Sequence, residues 1–189
     1  MGDIVVVRHG QTEWSAAGRH TSRTDLDLTP AGERQGRALS RAFMTAGFVA
    51  VVSSPRRRAL RTAELAGLTV TEVDADVAEW DYGTYEGLTT SEIRAERPDW
   101  ELWTDGCPGG ETPEQVTIRL DRFLARVRPM LVVGDVAVVS HGHASRALAS
   151  RWIGESVAFG ARLSLDTATL STLGHEHDLP SIRTWNATI

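Results

Sequence analysis

Arg8, His9 and Gly10 stand directly after the apolar run Ile4-Val5-Val6-Val7. A histidine in that place offers a ring nitrogen that titrates near neutral pH and can act as a nucleophile. The arginine beside it offers a planar fork of donors that fits a phosphate. The glycine admits close approach by a ligand or a neighbouring backbone. Ser140-His141-Gly142 follows a second apolar run, and Ser53-Ser54-Pro55-Arg56-Arg57-Arg58 ends a third. The polar and aromatic stretch Glu79-Trp80-Asp81-Tyr82-Gly83 lies between them. Two histidines, two or more arginines and one acid are what phosphoryl transfer through nitrogen requires. A neutral imidazole attacks, cations spread over the equatorial oxygens, and an acid protonates the leaving alkoxide.

Such residues need a frame that brings them together, and the pattern around them supplies one. Residues 3–8, 48–53 and 136–139 read as buried strands, and 68–73 as a third strand of the series. Thr29-Pro30 opens a helix to about Ala46, with threonine as cap and proline in the first turn. Further helices are expected from Pro55 to near Gly67, over 90–96, over about 113–130, and after His141-Gly142-His143 to Ile153. Segments 164–173 and 180–186 read as two closing strands. Strands alternating with helices imply an α/β three-layer sandwich, with a largely parallel central sheet and helices on both faces. Ligand sites in open sheets of this kind lie at the carboxyl ends of the strands. Adjacent strands are about 4.8 Å apart, so the loops after them can converge on one ligand.

With 189 residues, the chain suits a single domain with a sizeable core. Its 41% apolar and 24% charged residues fit a folded soluble protein. A net charge of −5 argues against a nucleic-acid partner. All 20 basic residues are arginine, so no mechanism here can use lysine. Cys107 is the one cysteine, which excludes an intrachain disulfide and suits a reducing cytoplasm. No apolar run approaches the ~18 residues of a membrane span, and the first residues lack the pattern of a signal peptide. The expectation is a cytoplasmic protein, monomeric or homodimeric, with no membrane association.

Several motifs in order resemble one family. Arg8-His9-Gly10-Gln11-Thr12, Ser54-Pro55-x-x-Arg58-Ala59, Glu79-x-x-Tyr82-Gly83-x-x-Glu86-Gly87, Gly110-Glu111-Thr112 and Ser140-His141-Gly142 resemble the histidine phosphatase superfamily. The likeness runs from about residue 3 to 153. Residues 80–87, 105–110 and His141-Gly142-His143 look most like the acid phosphatase and sedoheptulose bisphosphatase branch. The resemblance implies the phosphoglycerate mutase-like fold and hydrolysis of small phosphorylated metabolites, sugar phosphates or bisphosphates among them, with release of inorganic phosphate. It implies His9 as the nucleophile that becomes phosphohistidine, a choice the spacing alone leaves open between His9 and His141. Arg8, Arg58 and His141 would bind the phosphoryl oxygens. Glu79 would protonate the leaving group and then activate water. Gln11, Ser15, Thr21, Ser22, Tyr82 and Gly142 are the further candidate substrate contacts. No cofactor and no metal are implied.

Two other readings remain open at this level. A cofactor-dependent phosphoglycerate mutase must retain a bisphosphorylated intermediate with extra cations. Here Thr90 stands where mutases carry a lysine, Glu101-Leu102-Trp103-Thr104 where they carry two arginines, and Ser15 where they carry an asparagine. Those departures favour hydrolysis. A non-catalytic phosphate binder is the third class, opposed by the presence of His9, Glu79 and His141 together. Other residues have plainer readings as well. His141-x-His143 could be half of a zinc site. Trp80, Tyr82 and Tyr85 could be core, and Glu111 a carboxylate favoured at a helix start. Cys107 is expected to be inert. Arg56, Arg57, His175 and His177 read as surface groups.

Overall fold

The computed structural model describes residues 1–189. Thirteen regular elements run along the chain: β1 (Ile4–Arg8), α1 (Glu13–Ala16), α2 (Pro30–Phe43), β2 (Phe48–Ser53), α3 (Arg57–Leu65), β3 (Glu72–Val73), α4 (Thr90–Glu96), α5 (Leu102–Asp105), α6 (Pro113–Val127), β4 (Asp135–Ser140), α7 (Gly142–Trp152), β5 (Leu170–Glu176) and β6 (Leu179–Ala187). One six-stranded sheet holds them in the order β3-β2-β4-β1-β5-β6. The pairs β1–β4, β4–β2 and β2–β3 are parallel, while β5 and β6 are antiparallel additions on one side. The expected α/β sandwich is the architecture found.

Alternation along the strands divides the core in two. Val6, Val52, Val136 and Val138 face one layer, where they meet Leu120, Phe123 and Leu124 of α6 and Leu148 and Trp152 of α7. Val7, Val51, Ala137 and Val139 face the other, against Leu39 of α2 and Ala59 and Ala63 of α3. The second layer is built from small residues, so α2 and α3 approach closely. Gly10 shows how closely, since a Cβ there would stand 2.5 Å from the carbonyl oxygen of Gly32. No helix is long and apolar enough to cross a membrane.

Helix starts follow the expected chemistry. Thr29 caps α2 and Thr112 caps α6, each with proline in the first turn, and Thr89 closes a capping box with Glu92 at α4.

Three expectations are corrected. The third strand is two residues, Glu72–Val73, rather than 68–73. It is an edge strand paired only to Val52 and Ser53, and Leu68 packs into the smaller core instead. Residues 164–169 are not strand. Ala168 takes a left-handed conformation (φ 54°), and its N–H donates to the carbonyls of Arg8 and His9. This segment therefore crosses the carboxyl end of β1 before β5 begins at Leu170. The helix expected to Met130 ends at Val127, and Pro129, which has no N–H to continue it, leads into a short 3-10 turn.

Candidate active site

The three central strands end side by side, and their backbones lock the loops that follow. Arg8 pairs in register with Ser140, and Val139 with Ser53. One residue further on, His9 N–H donates to Ser140 O (3.0 Å) and Ser54 N–H to Val139 O (3.0 Å). The ladder thus fixes where His9, Ser54 and His141 leave the sheet. The rings of His9 and His141 meet edge to face with centroids 5.1 Å apart.

Hydrogen bonds set the state of each ring. His9 Nδ1 lies 2.7 Å from the carbonyl oxygen of Gly10. A carbonyl can only accept, so Nδ1 carries the proton and Nε2 of the neutral ring carries the lone pair. Burial, then Arg58 and Arg8, push the His9 pKa well below 6.5. A lone pair is therefore present at neutral and mildly acidic pH, as attack on phosphorus needs. His141 Nε2 meets Ser54 Oγ at 2.6 Å. Its pKa too is pushed well below the usual value, by burial first and then by Arg58.

Two guanidinium groups lie at and beneath the floor. Arg58 is fully buried, with Nη1 on Thr24 O and Nη2 on Thr21 O and Ser22 O. Arg8 donates through Nη1 to Leu165 O. In both residues Nε is buried with no partner, and so is Nδ1 of His141. Buried donors are rarely left unmatched, and a tetrahedral anion would match these. Gly142 leaves room for the Arg8 guanidinium, which a Cβ there would meet at 3.3–3.5 Å.

Glu79 reaches the same place from outside the sheet. Ser140 Oγ donates to Val77 O (2.8 Å), which ties the 75–77 turn to the end of β4. Arg119 clamps the same turn from α6, donating to Asp76 O and Ala78 O. It is also bidentate to Glu111, whose Oε2 accepts from Asp81 N–H. Glu111 therefore does more than meet a helix dipole: it braces the loop that carries Glu79. The Glu79 carboxylate accepts from the N–H groups of Trp80, His143 and Ala144.

One cavity opens over these groups, lined by Arg8, His9, Glu79 and Gly142, with Ser15, Thr21 and Tyr82 from the other sequence candidates. Arg58 and His141 lie beneath its floor, fully buried. Gln11 and Ser22 are not in its lining. Gln11 Oε1 accepts from Thr29 Oγ1, and the Ser22 carbonyl holds Arg58. Arg19, His20, Thr90, His143, Arg146 and Leu165 line the cavity without having been singled out as contacts. Arg146 follows His143 by three residues on α7, a helical spacing that could have flagged it; His20 gave no such signal.

Arg56, expected at the surface, is half-buried with its Nε buried and unpartnered, and Tyr85 is half-buried against Trp100. Trp80 is buried with its N–H on Glu111 O. Cys107 is buried in the main core, and burial pushes its thiol up to about 12. Arg57 is a surface group on Asp25 and Asp27, and His177 is exposed, whereas His175 is half-buried against Trp152. No group of three His, Cys, Asp or Glu side chains is arranged to hold a metal ion.

A family model described as the histidine phosphatase superfamily (branch 1) matches residues 4–188. The chain belongs to the histidine phosphatase superfamily. It is 44% identical over 176 residues to an acid phosphatase of Mycobacterium tuberculosis, covering 92% of this chain and 87% of that protein. It is 38% identical over 184 residues to a sedoheptulose 1,7-bisphosphatase of Saccharomyces cerevisiae, covering 81% of this chain and 68% of that one. A solved structure of the product of a Mycobacterium tuberculosis open reading frame superposes with a TM-score of 0.96 at 43% identity, covering 99% of this histidine phosphatase and 98% of that chain.

Proposed function

We propose that this histidine phosphatase is a phosphoric monoester hydrolase of small phosphorylated metabolites that works through a phosphohistidine on His9. The observation that carries the reading is the pairing of a fixed His9 Nε2 lone pair with an unpartnered buried nitrogen of Arg8 in the cavity lining and others of Arg58 and His141 beneath its floor.

In the first step His9 Nε2 forms the N–P bond as the P–O bond to the alcohol breaks. Arg8, Arg58 and His141 spread the charge on the equatorial oxygens. Glu79, entering as the acid, gives its proton to the leaving alkoxide and becomes carboxylate. In the second step water attacks phosphorus from the vacated side and its proton passes to Glu79. The N–P bond breaks, inorganic phosphate leaves, and His9 and Glu79 return to their starting states.

Arg146 supports a substrate with a second anionic group. Its Nε and Nη2 are held by the carbonyls of Gly160 and Ala161, and its plane lies 4.7 Å over the Trp103 ring. It lines the cavity and has no carboxylate partner, so Nη1 remains for an anion. A sugar bisphosphate, the class named for the yeast relative, has this form.

The family model's span from residue 4 to 188 supports a single catalytic domain. The net charge of −5 supports the absence of a nucleic-acid partner, and the chain is read as a monomer or homodimer. The cavity presents the uncharged Thr90 where a mutase carries a lysine, and this favours transfer to water.

The test is phosphate release from p-nitrophenyl phosphate and from a panel of sugar phosphates, beside a coupled phosphoglycerate mutase assay. Phosphate release with little mutase turnover is the expected result. Mutase turnover exceeding phosphate release would make the chain an isomerase, and no turnover of any ester would leave it a binder.

A further inference from the structure

The geometry points to His20 and His143 as a matched pair that reads the hydroxyl groups of the leaving alcohol, selecting phosphate monoesters of polyols. The inference rests on the hydrolase reading and concerns the leaving-group side of the same cavity.

Both residues line the cavity, and their rings stack with centroids 5.9 Å apart and planes within 8°. Each ring has one nitrogen committed to the protein. His20 Nδ1 lies 2.7 Å from Leu88 O. The carbonyl can only accept, so His20 is protonated at Nδ1 and its Nε2 is an acceptor. His143 Nδ1 lies 2.6 Å from the hydroxyl of Tyr82. That phenol has no other acceptor in the protein, and burial, together with Glu79, pushes its pKa well above 10. It therefore keeps its proton and donates it to Nδ1. His143 is then protonated at Nε2, which is a donor. Removal from bulk water lowers the pKa of both histidines, so both rings are neutral near pH 7.

Neither Nε2 has a partner in the protein, and neither is sealed from solvent. The cavity wall thus offers one neutral acceptor and one neutral donor, on stacked rings. A carboxylate or phosphate would satisfy only the donor. An ammonium would satisfy only the acceptor. Hydroxyl groups donate and accept, and a vicinal diol can meet both rings at once. A site built to hydrogen-bond a hydroxyl strongly rejects the analogue that lacks it, because its own polar groups are then left unpaired. The tautomers are opposite because the two rings are held by different groups, a carbonyl for His20 and a phenol for His143. Tyr82 is accordingly a positioning residue, acting through His143.

The test compares kcat/KM for glycerol 1-phosphate with that for propyl phosphate, which has the same length and no free hydroxyl. The wild type should prefer glycerol 1-phosphate by about tenfold or more, the effect of one or two hydrogen bonds made or left unmade. In His20→Phe and His143→Phe that ratio should fall toward one. Tyr82→Phe should lower it as well, with its effect on kcat/KM for glycerol 1-phosphate larger than for propyl phosphate. No preference in the wild type, or a ratio that survives both histidine substitutions in folded protein, would overturn the inference. Nitrogen-15 NMR of the intact wild type is the second measurement. His20 protonated at Nδ1 and His143 at Nε2 is expected, and the same tautomer in both rings would refute the pair whatever the variants do. Failure of the wild type on every ester, p-nitrophenyl phosphate included, would instead overturn the hydrolase reading.

Discussion

Ala144 N–H donates to Glu79 Oε1 at 2.8 Å, which seats the acid of the site on the first turn of α7. The helix begins at Gly142, directly after His141. His141, which has no side-chain cap role of its own, and Glu79 are thus placed by the same helix terminus. The first N–H groups of a helix lack partners within it, and Glu79 accepts from two of them, those of His143 and Ala144. An anion at that end is also favoured by the helix dipole.

His9→Ala is expected to lower kcat by more than about a thousandfold, since the covalent route is lost. Arg8 and Arg58 remain, so inorganic phosphate should still bind, as titration calorimetry can measure. An acid-stable label on the protein after a quench with labelled substrate in the wild type, or normal turnover in the variant, would remove His9 from the nucleophile's role.

Glu79→Gln should slow esters of poor leaving groups most. General acid help is typically worth ~10²–10⁴-fold, and it matters when the alkoxide is basic. A sugar alkoxide needs the proton and nitrophenolate hardly does. The measurement is the loss of kcat on a sugar phosphate against that on p-nitrophenyl phosphate, with the chemical step limiting. Equal losses would leave Glu79 as a water-activating or positioning group.

Treatment with EDTA is expected to leave turnover within about twofold. In the proposed mechanism Arg8 and Arg58 supply positive charge at the transferring phosphoryl group, the part that divalent ions play in other phosphoryl-transfer enzymes. Activity abolished by the chelator and restored by a divalent ion would contradict this.

Arg146→Met should lower kcat/KM for a sugar bisphosphate about tenfold more than for the matching monophosphate, the scale of one charge-assisted hydrogen bond. Methionine keeps an apolar body against Trp103. Equal losses on the two substrates would show that Arg146 serves only to hold the 160–161 turn.

Stability should fall as pH drops below about 6.5. Burial is the first cause of the lowered pKa in His9, His20, His141 and His143. The unfolded chain takes up protons on these rings near pH 6.5, while the folded chain does not until lower pH. The unfolded state then binds more protons, so unfolding becomes easier as pH falls through that window and is unaffected above it. The lowered carboxylates, Glu33 and Glu92, act only below about 4.5, which leaves pH 6.5 to 4.5 to the imidazoles. A melting temperature that stays level from pH 7.5 to 5 would count against neutral buried rings.

Much of the site is legible in the order of residues. Strands of Val and Ile ending in Arg-His-Gly, Ser-Ser-Pro and Ser-His-Gly mark both the sheet and the rim where a ligand sits. Their placement is local, set by strand period and by the turn residues that stop each strand. Helix starts were as plain, because Thr29-Pro30 and Thr112-Pro113 are caps whose chemistry is contained within one turn.

What the order of residues does not carry is which polar atoms find partners. The tautomer of His9 depends on a carbonyl one residue away, but that of His20 depends on Leu88 and that of His143 on Tyr82. These are meetings across loops 61 to 68 residues apart, and loop paths have no periodicity to read. The same is true of residues 164–169, read as the start of a strand, where the carboxyl end of β1 claims the Ala168 N–H. The central strands, the helix starts and the chemical types at the strand ends are legible in the chain, since those follow from local period and capping. Which nitrogens are free, the seat of Glu79 on the start of α7, and the reach of Arg146 and His20 into the cavity come from the folded arrangement. Each of these depends on distant backbone groups that folding alone brings within hydrogen-bonding distance.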